Sequence, residues 1–378
     1  MTWHQWTGMT LPFVLLLGIV LRAESQEASK QASSPVNLIV AVEGKVLIKH
    51  TTWARYEPLV FGADIRQGDL LQVEEASRAK VLCSDLTLHV LTTGADGIPC
   101  GQDQVVLQRS NGTLSRLTRS GPQNGAYPIV LSPRKTKILS PHPVLRWTGA
   151  NGATRYALVL RGPSLNWYSE ASLPNNGLAG DQLLQSTPVF QVAYPENAPT
   201  LTEGADFKFI VVANGHSSDS EGGLGLGFSM IDLDSRKAVE RAQKQIEDLG
   251  LPEGPTQFLI AYLYMTYDLN AEAIERLEAI SPNFNVDAVA RLLGDLYLRV
   301  GLPHDAEAAY LSSLKLSKEQ NDPEGQMLSE WGLSSVYCCA LGKSQLAIQH
   351  LDAIIDIAHE LGDTRTADLA NQRLKTLK

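Results

Sequence analysis

Several features that the sequence lacks exclude whole classes of protein. Only four cysteines occur in 378 residues, and none belongs to a Cys-x-x-Cys pair or a Cys/His cluster at zinc spacing. No concentrated stripe of Lys and Arg is present, and the net charge is −9, so we expect no binding to nucleic acid. No Gly-x-Ser-x-Gly or His-Glu-x-x-His motif occurs either. We therefore predict a non-enzymatic protein without a cofactor or a metal.

The apolar segments are also short. The run Leu11–Leu21 has 11 residues, whereas a helix that spans a bilayer needs about 20. Small residues follow at Ala23 and Ser25, which indicates a signal peptide over 1–25, although no Lys or Arg precedes the run. An uncleaved membrane anchor is the alternative. The mature chain is expected to be periplasmic or secreted, with a polar tether over 26–36.

The length predicts two to three domains, since 378 residues exceed what one simple core organises. The 44% hydrophobic and 19% charged residues are typical of folded globular proteins. The overall pattern predicts a β-rich first half followed by an α-helical second half. We expect an all-β domain over 37–109, a linker over 110–137, a β-sandwich over 138–232 and a helical repeat domain over 235–378.

The cysteines suggest one disulfide. Cys83 and Cys100 lie in the strand-rich first segment, and an oxidising compartment would allow them to pair; two buried free thiols are the alternative. Cys338 and Cys339 are adjacent within a helical pattern, where neighbouring side chains diverge. We expect these two to be thiols that fill space in the core.

Short alternating runs separated by turn residues predict a small antiparallel sandwich or roll over 37–109. Two strands are expected, one before and one after Gly44. A Gly68–Asp69 turn precedes the strand that ends at Val73. A Ser77-x-Ala79 strand then follows, with Asp85 after it. This order resembles the FecR-like domain of exported bacterial proteins. The resemblance implies either signalling across the envelope or a β-module in a larger surface protein, and the second role suits this chain.

The segment 138–232 contains Pro141-x-x-Val-Leu-Arg-Trp147, a strand-like run at Ala157–Arg161 and an alternating run at Phe207–Ala213. This order resembles immunoglobulin-like or fibronectin-like modules, which implies a β-sandwich with Trp147 in its core. Trp167 lies in a polar run and is a candidate for ligand stacking. Together with Trp53 it suggests an alternative function, binding to glycan or cell wall.

Helical periodicity begins near residue 235. Blocks starting at Ala273, Ala306 and Ala347 each place a small residue four positions before a large one. They predict helix pairs over 256–282, 287–318 and 325–361, with a closing helix Thr364–Leu377. Gly294 and Tyr297 in the second pair resemble the tetratricopeptide repeat (TPR); Ser335 and Cys338 would take the same places in the third.

Stacked TPR units imply a concave groove that binds a protein or peptide. We predict an exported envelope scaffold or adaptor that uses this groove; a signal-sensing regulator that acts through the FecR-like domain is an alternative. The sequence does not determine the oligomeric state. The predicted groove residues are Gln257, Tyr262, Tyr267, Arg291, Arg299, Glu330 and Tyr337.

Overall fold

The computed structural model describes residues 34–94, 97–101, 105–109, 125–172, 188–221 and 226–377. The predicted signal peptide lies outside the described residues, as does most of the tether. Within these ranges, no helix has both the length and the apolar character that crossing a membrane requires. The predicted order, strands in the first half and helices in the second, is confirmed.

The first β-domain consists of short antiparallel strands. They are β1 (Ser34–Pro35), β2 (Leu38–Glu43), β3 (Val46–Lys49), β4 (Glu57–Pro58), β5 (Leu70–Val73), β6 (Arg78–Leu82), β7 (Leu88–Leu91) and β8 (Gln108–Arg109). Two three-stranded sheets have the orders β2-β6-β7 and β4-β3-β5, and β1 pairs with β8. Gly44 turns the chain with φ 77° between β2 and β3, which belong to different sheets rather than to one hairpin.

The second β-domain is built from strands β9 to β17. They are β9 (Val130–Ser132), β10 (Thr136–Ile138), β11 (Val144–Thr148), β12 (Arg155–Gly162), β13 (Leu165–Ser172), β14 (Val189–Ala193), β15 (Asp206–Ala213), β16 (His216–Ser217) and β17 (Phe228–Met230). One sheet has the order β14-β11-β9, and the other has β10-β17-β15-β12-β13 with β16 beside β15.

This domain starts earlier than the sequence indicated. Strand β9 and the first two residues of β10 lie inside the range expected to be a linker, 110–137, so the C-terminal part of that range is folded. Each has only three residues, and Pro133, Arg134 and Lys135 separate them, which made the segment look like a loop. Strand β10 pairs in parallel with β17, the last strand of the domain, and this pairing holds the segment in the sheet.

Eight helices follow in the described residues. They are α1 (Leu233–Glu247), α2 (Glu253–Thr266), α3 (Asn270–Ile280), α4 (Asp287–Val300), α5 (Pro303–Glu319), α6 (Pro323–Ser335), α7 (Ser344–Leu361) and α8 (Thr364–Leu377). Each helix packs against the next one in the chain, and α4 also contacts α6. A π-helical turn, Val336–Ala340, extends α6 and accounts for the longer third pair.

The first β-domain shares its hydrophobic cores with the helices. Leu38, Ile39 and Val40 are consecutive and all at most 2% exposed, so β2 is covered on both faces. Leu38 and Val40 belong to a core that continues through α1 to α5. Ile39 belongs to a second core that continues into α6, α7 and α8. The first β-domain and the helices are therefore one hydrophobic unit.

The second β-domain has a core of its own. Trp147 is fully buried there, which confirms its predicted place in the sandwich core. The rings of Tyr156, Phe190 and Phe209 surround it with centroids 5.9–6.2 Å from that of Trp147. Ile129, which precedes β9, and Ile231, which follows β17, instead belong to the core that continues through α1 to α5, so this domain also packs on the helices through apolar residues.

Candidate binding surfaces and domain joints

Three of the predicted groove residues are buried inside the chain. Tyr262, Glu330 and Tyr337 are 8%, 5% and 6% exposed. Glu330 contacts His350 Nδ1 on α7, and the Tyr337 hydroxyl donates to Glu307 Oε1 on α5 at 2.7 Å. Glu330 and Tyr337 thus connect neighbouring helices, and Tyr262 packs in the core, so none of the three lines an open groove.

The other four are half-buried. Arg299 Nη1 donates to the carbonyl of Met265 at 3.2 Å, and Gln257 accepts from Arg276. Arg291 lies among buried carboxylates of the helices, and Tyr267 packs against the core. The structure does not gather the seven on one open face. The sequence analysis did not anticipate that a β-domain docks against the helices that carry them.

An aromatic joint, formed by Phe61, Phe258 and Phe284, connects the first β-domain to the helices. The ring of Phe61 meets that of Phe258 at 5.1 Å and that of Phe284 at 4.9 Å between centroids, both edge to face. The next residue, Gly62, has φ +79°, and a Cβ there would lie 2.3 Å from the Cβ of Ala288. Glycine therefore permits the closest approach of the β-domain to α4.

An ionic joint, formed by His50, Arg66, Asp69 and Glu324, lies deeper in the same interface. His50 Nδ1 is 2.7 Å from Asp69 Oδ2, and His50 Nε2 is 3.2 Å from Glu324 Oε2. Arg66 Nη2 donates to Glu324 Oε1 at 2.8 Å. The Gly68–Asp69 turn positions this site, because the amide of Arg66 donates to Asp69 Oδ2 at 2.8 Å.

The contacts of the ionic joint change the pKa values of His50 and Glu324. Burial alone would lower the pKa of His50, but its contacts with Asp69 and Glu324 raise it to about 9. Burial alone would raise the pKa of Glu324, yet the contact with His50 and the charge of Arg66 lower it to about 2. The pair is thus charged across the neutral range and ties β-domain to helix.

Two further carboxyl groups converge on the start of α6. Asp287 is 1% exposed, and neither of its oxygens has a hydrogen-bond partner among the described residues. Burial, followed by the charge of Asp287, raises the pKa of Asp322 to about 7. Gly325 leaves the space between them, since an added Cβ would lie 2.1 Å from Asp322 Oδ2 and 2.7 Å from Asp287 Oδ2. No group of His, Cys, Asp and Glu in the described residues has the arrangement of a metal site.

The end of α7 forms a third contact with the first β-domain. The amide of Ala54 donates to the carbonyl of Leu361 at 2.7 Å, and the Thr52 hydroxyl donates to Asp363 Oδ2 at 2.9 Å. An unpaired carbonyl at a helix C-terminus needs a donor, which Ala54 provides. The β-domain therefore contacts the helices at several points between α2 and α8.

Arg134 joins the second β-domain to the end of α4. Its guanidinium donates to the carbonyls of Val300 at 2.8 Å and Gly301 at 3.0 Å, and also to Val130 of its own domain at 3.1 Å. Arg134 is 2% exposed. A cation at a helix C-terminus satisfies free carbonyls and complements the helix dipole. Sequence analysis missed this residue because it lies in the range expected to be a linker.

A small cavity of about 20 Å³ lies between the second β-domain and helices α3, α4 and α5. It has room for about one water molecule. Arg146 Nη1 pairs with Glu278 Oε2 at 2.7 Å beside it, and the Tyr297 hydroxyl donates to Glu278 Oε1 at 2.8 Å. Burial, followed by the charge of Glu278, raises the pKa of Asp305 in the wall to about 7. The cavity is part of a polar joint and is too small for an organic ligand.

The two tryptophans of the predicted glycan platform are not on one surface. Trp53 is 5% exposed, and its ring meets that of His50 edge to face at 4.3 Å. Trp167 packs edge to face against Tyr194 at 5.1 Å. Each ring is used inside its own domain.

In the part of the chain that the structure describes, strand β13 forms one edge of the larger sheet. All of its residues pair with β12, from Leu165 opposite Gly162 to Ser172 opposite Arg155, without a bulge. Tyr168, at its centre, is 59% exposed. The inward-facing Trp167, Ser169 and Ala171 are only half-buried, so the inner face at this edge is incompletely covered.

The four cysteines are paired in the structure. Cys83 and Cys100 form the disulfide that the sequence suggested, with S–S 2.00 Å. Cys338 and Cys339 are also bonded to each other, at S–S 2.12 Å, so the expectation of two free thiols there was wrong. The two side chains would diverge on an α-helix, but the chain here forms the π-helical turn Val336–Ala340.

No protein-family model and no curated protein sequence matches this chain.

Proposed function

We propose that the chain is an exported, non-enzymatic scaffold in which TPR-type helix pairs hold two β-domains in a fixed arrangement and present them to a partner protein. The observation that carries this proposal is that both β-domains are joined to the same helices through buried contacts. These contacts include the ionic joint, the hydrogen bond from the Ala54 amide to the end of α7, and the hydrogen bonds from the Arg134 guanidinium to the end of α4. Such joints suit a rigid frame.

The packing around Tyr310 supports the TPR-type arrangement. The ring of Tyr310 on α5 lies between two glycines, Gly294 on α4 and Gly332 on α6. A Cβ on Gly294 would lie 2.7 Å from that ring, and a Cβ on Gly332 would lie 2.4 Å from it. Small residues on the first helix of a unit allow this close approach. Gly332, rather than the expected Ser335, takes the corresponding place in the third pair.

The docked β-domain moves the proposed partner surface away from the groove. Phe61 and Gly62 already contact α2 and α4, so the first two helix pairs have an internal ligand. The exposed edge strand β13 is the surface we assign to a partner instead. It contains no Pro, Lys or bulge, which are the usual devices that prevent strand addition.

The occupant we propose for β13 is an extended strand of a partner protein. Main-chain hydrogen bonds would supply most of its affinity. An added strand would also cover the half-buried inner residues of β13, Trp167, Ser169 and Ala171. Glu170 is the only charged side chain of β13, so a basic residue opposite it would complement the edge.

Photo-crosslinking of the full chain in cells tests the function and the surface separately. A benzophenone amino acid replaces Tyr168, and in a matched control it replaces Leu311, a 46% exposed apolar residue on α5. We expect one protein adduct of defined mass from position 168 and none from 311. An excess of the protein without the benzophenone amino acid should lower the yield of this adduct. The same excess of the Tyr168→Lys variant should not lower it.

The two other outcomes contradict different parts of the proposal. A defined adduct from position 311 alone would keep the scaffold and reject β13 as its surface. No adduct from either position would reject partner binding at both surfaces and, with it, the scaffold as proposed.

A further inference from the structure

The bonded pair Cys338–Cys339 is not used by any domain joint. It lies in the π-helical turn at the C-terminal end of α6, which packs against α5 and α7. Cys339 is an exposed residue and Cys338 is half-buried, so the bonded pair lies at the surface of the helices and is approached from the Cys339 side. Access to one sulfur is the first requirement for thiol–disulfide exchange.

The backbone around the pair is unusual for this helix. The amide of Leu341 donates to the carbonyl of Val336 at 3.0 Å, five positions back, and the amide of Lys343 donates to Tyr337 at 2.7 Å. Single π-helical turns within α-helices occur frequently at functional sites. Both bonded cysteines lie inside this turn, where the backbone departs from regular α-helical geometry.

A cation lies beside both sulfurs. Arg373 Nη2 on α8 is 3.3 Å from Cys338 Sγ and 3.0 Å from Cys339 Sγ. A guanidinium at this distance stabilises the thiolate that leaves when a disulfide is attacked, which speeds exchange. A disulfide with a merely structural role has no need of such a neighbour.

The second disulfide of the same chain is built differently. Cys83 is fully buried, and its partner Cys100 packs against the core shared with α6 to α8. The bond to Cys100 ties a loop to the first β-domain across 17 positions. A bond between neighbours closes almost no chain, so it restrains the unfolded state very little. Stability therefore accounts for Cys83–Cys100 and does not account for Cys338–Cys339.

We propose that Cys338–Cys339 is a redox-active disulfide whose substrate is an external dithiol. A thiolate of the dithiol attacks Cys339 Sγ, the S–S bond breaks, and Cys338 leaves as a thiolate beside Arg373. The second thiol of the external molecule then attacks the mixed disulfide and releases Cys339. The external dithiol becomes a disulfide, two electrons pass to the protein, and two protons end on Cys338 and Cys339. This inference does not depend on the scaffold function.

Differential alkylation of the full chain tests the proposal, with Cys83–Cys100 as an internal control. The folded protein is equilibrated with increasing dithiothreitol, treated with a maleimide and digested, and mass spectrometry measures alkylation of each pair. We expect the peptide with Cys338 and Cys339 to be doubly alkylated at a reductant concentration at least about tenfold below that for Cys83 and Cys100. Oxidised dithiothreitol should then restore the bond.

Two outcomes would overturn the proposal, and a pair of variants tests the role of Arg373. Equal reductant requirements for the two pairs would overturn it. So would alkylation of Cys338 and Cys339 without any reductant, if it persists after treatment with oxidised dithiothreitol. The Arg373→Gln variant should be reduced several-fold more slowly than wild type, whereas Arg365→Gln, at an exposed position on the same helix, should not. Equal rates in the two variants would exclude the proposed role of Arg373.

Discussion

At the scale of single residues, one carboxylate holds the first β-domain against α6. Glu324 contacts Arg66 through Oε1 and His50 through Oε2, and it is 9% exposed. Removing one partner of a buried ion pair leaves the other charge without compensation, which typically costs about 3–5 kcal/mol. Arg66 and Glu324 lie 258 positions apart in the chain, so no rule based on sequence spacing could have paired them.

The pH dependence of unfolding follows from the ionic joint. The pKa of His50 rises from 6.5 to about 9, so its stabilisation is present below pH 6.5 and is lost as the pH rises to 9. The pKa of Glu324 falls from 4.5 to about 2, so its stabilisation is present above pH 4.5 and is lost as the pH falls to 2. The pKa of Asp322 rises from 3.8 to about 7, so its contribution is lost as the pH rises from 3.8 to 7, mostly below the range in which His50 titrates.

We therefore expect the free energy of unfolding in urea to fall between pH 6.5 and 9, by up to about 3 kcal/mol from His50. Glu324→Gln should be less stable at pH 6 and should lose less on going to pH 9, because His50 no longer has that charged partner. The control Glu319→Gln removes an exposed carboxylate and should keep the wild-type profile. Identical slopes for Glu324→Gln and wild type would contradict this explanation.

At the scale of elements, helices were easier to predict than short strands. The closing helix has the bounds expected from its amphipathic pattern, Thr364–Leu377, because a period of 3.6 residues repeats over several turns. Strands β9 and β10 have too few residues to show alternation. Strand β13 was missed because its outward residues, such as Asn166 and Glu170, are polar and its inward ones include Ser169. The contact of Tyr310 with two glycines could not be read from the sequence.

The glycine at the third helix pair provides a test of that contact. Replacing Gly332 with Ala improves helix propensity by about 1 kcal/mol, but the new Cβ would lie 2.4 Å from the Tyr310 ring. Overpacking of this kind costs about 1–3 kcal/mol, so we expect a net loss in the free energy of unfolding. The loss should shrink in a Tyr310→Leu background. Gly101→Ala, which meets no atom within 4 Å, is the control, and an equal effect at both positions would contradict the predicted contact.

At the scale of the whole molecule, the first β-domain and the helices are one unit, although the sequence suggested separate domains. The run Leu38–Val40 carried the missed signal, since consecutive apolar residues indicate a strand covered on both faces. Such a strand needs a second layer, and here α1 to α5 supply it.

Hydrogen exchange measured by mass spectrometry should reveal this unit. Phe61→Ala removes the central ring of the aromatic joint and should lower the protection of β2, α2 and α4 together, by about 2–3 kcal/mol. Tyr168→Ala in the second β-domain removes an exposed ring and should change none of these segments. Loss of protection in β2 alone, with α2 and α4 unchanged, would show that the two parts unfold separately.

The contact between Thr52 and Asp363 spans 311 positions, and it has a consequence for how the protein is made. Synthesis proceeds from the N-terminus, so the strands of the first β-domain emerge long before α7 and α8. Until those helices arrive, the apolar face that they cover remains open to solvent. Contacts of such long range slow folding, because the intervening chain must first be brought into place. A nascent chain of this protein would therefore need a holding chaperone for longer than its short strands suggest.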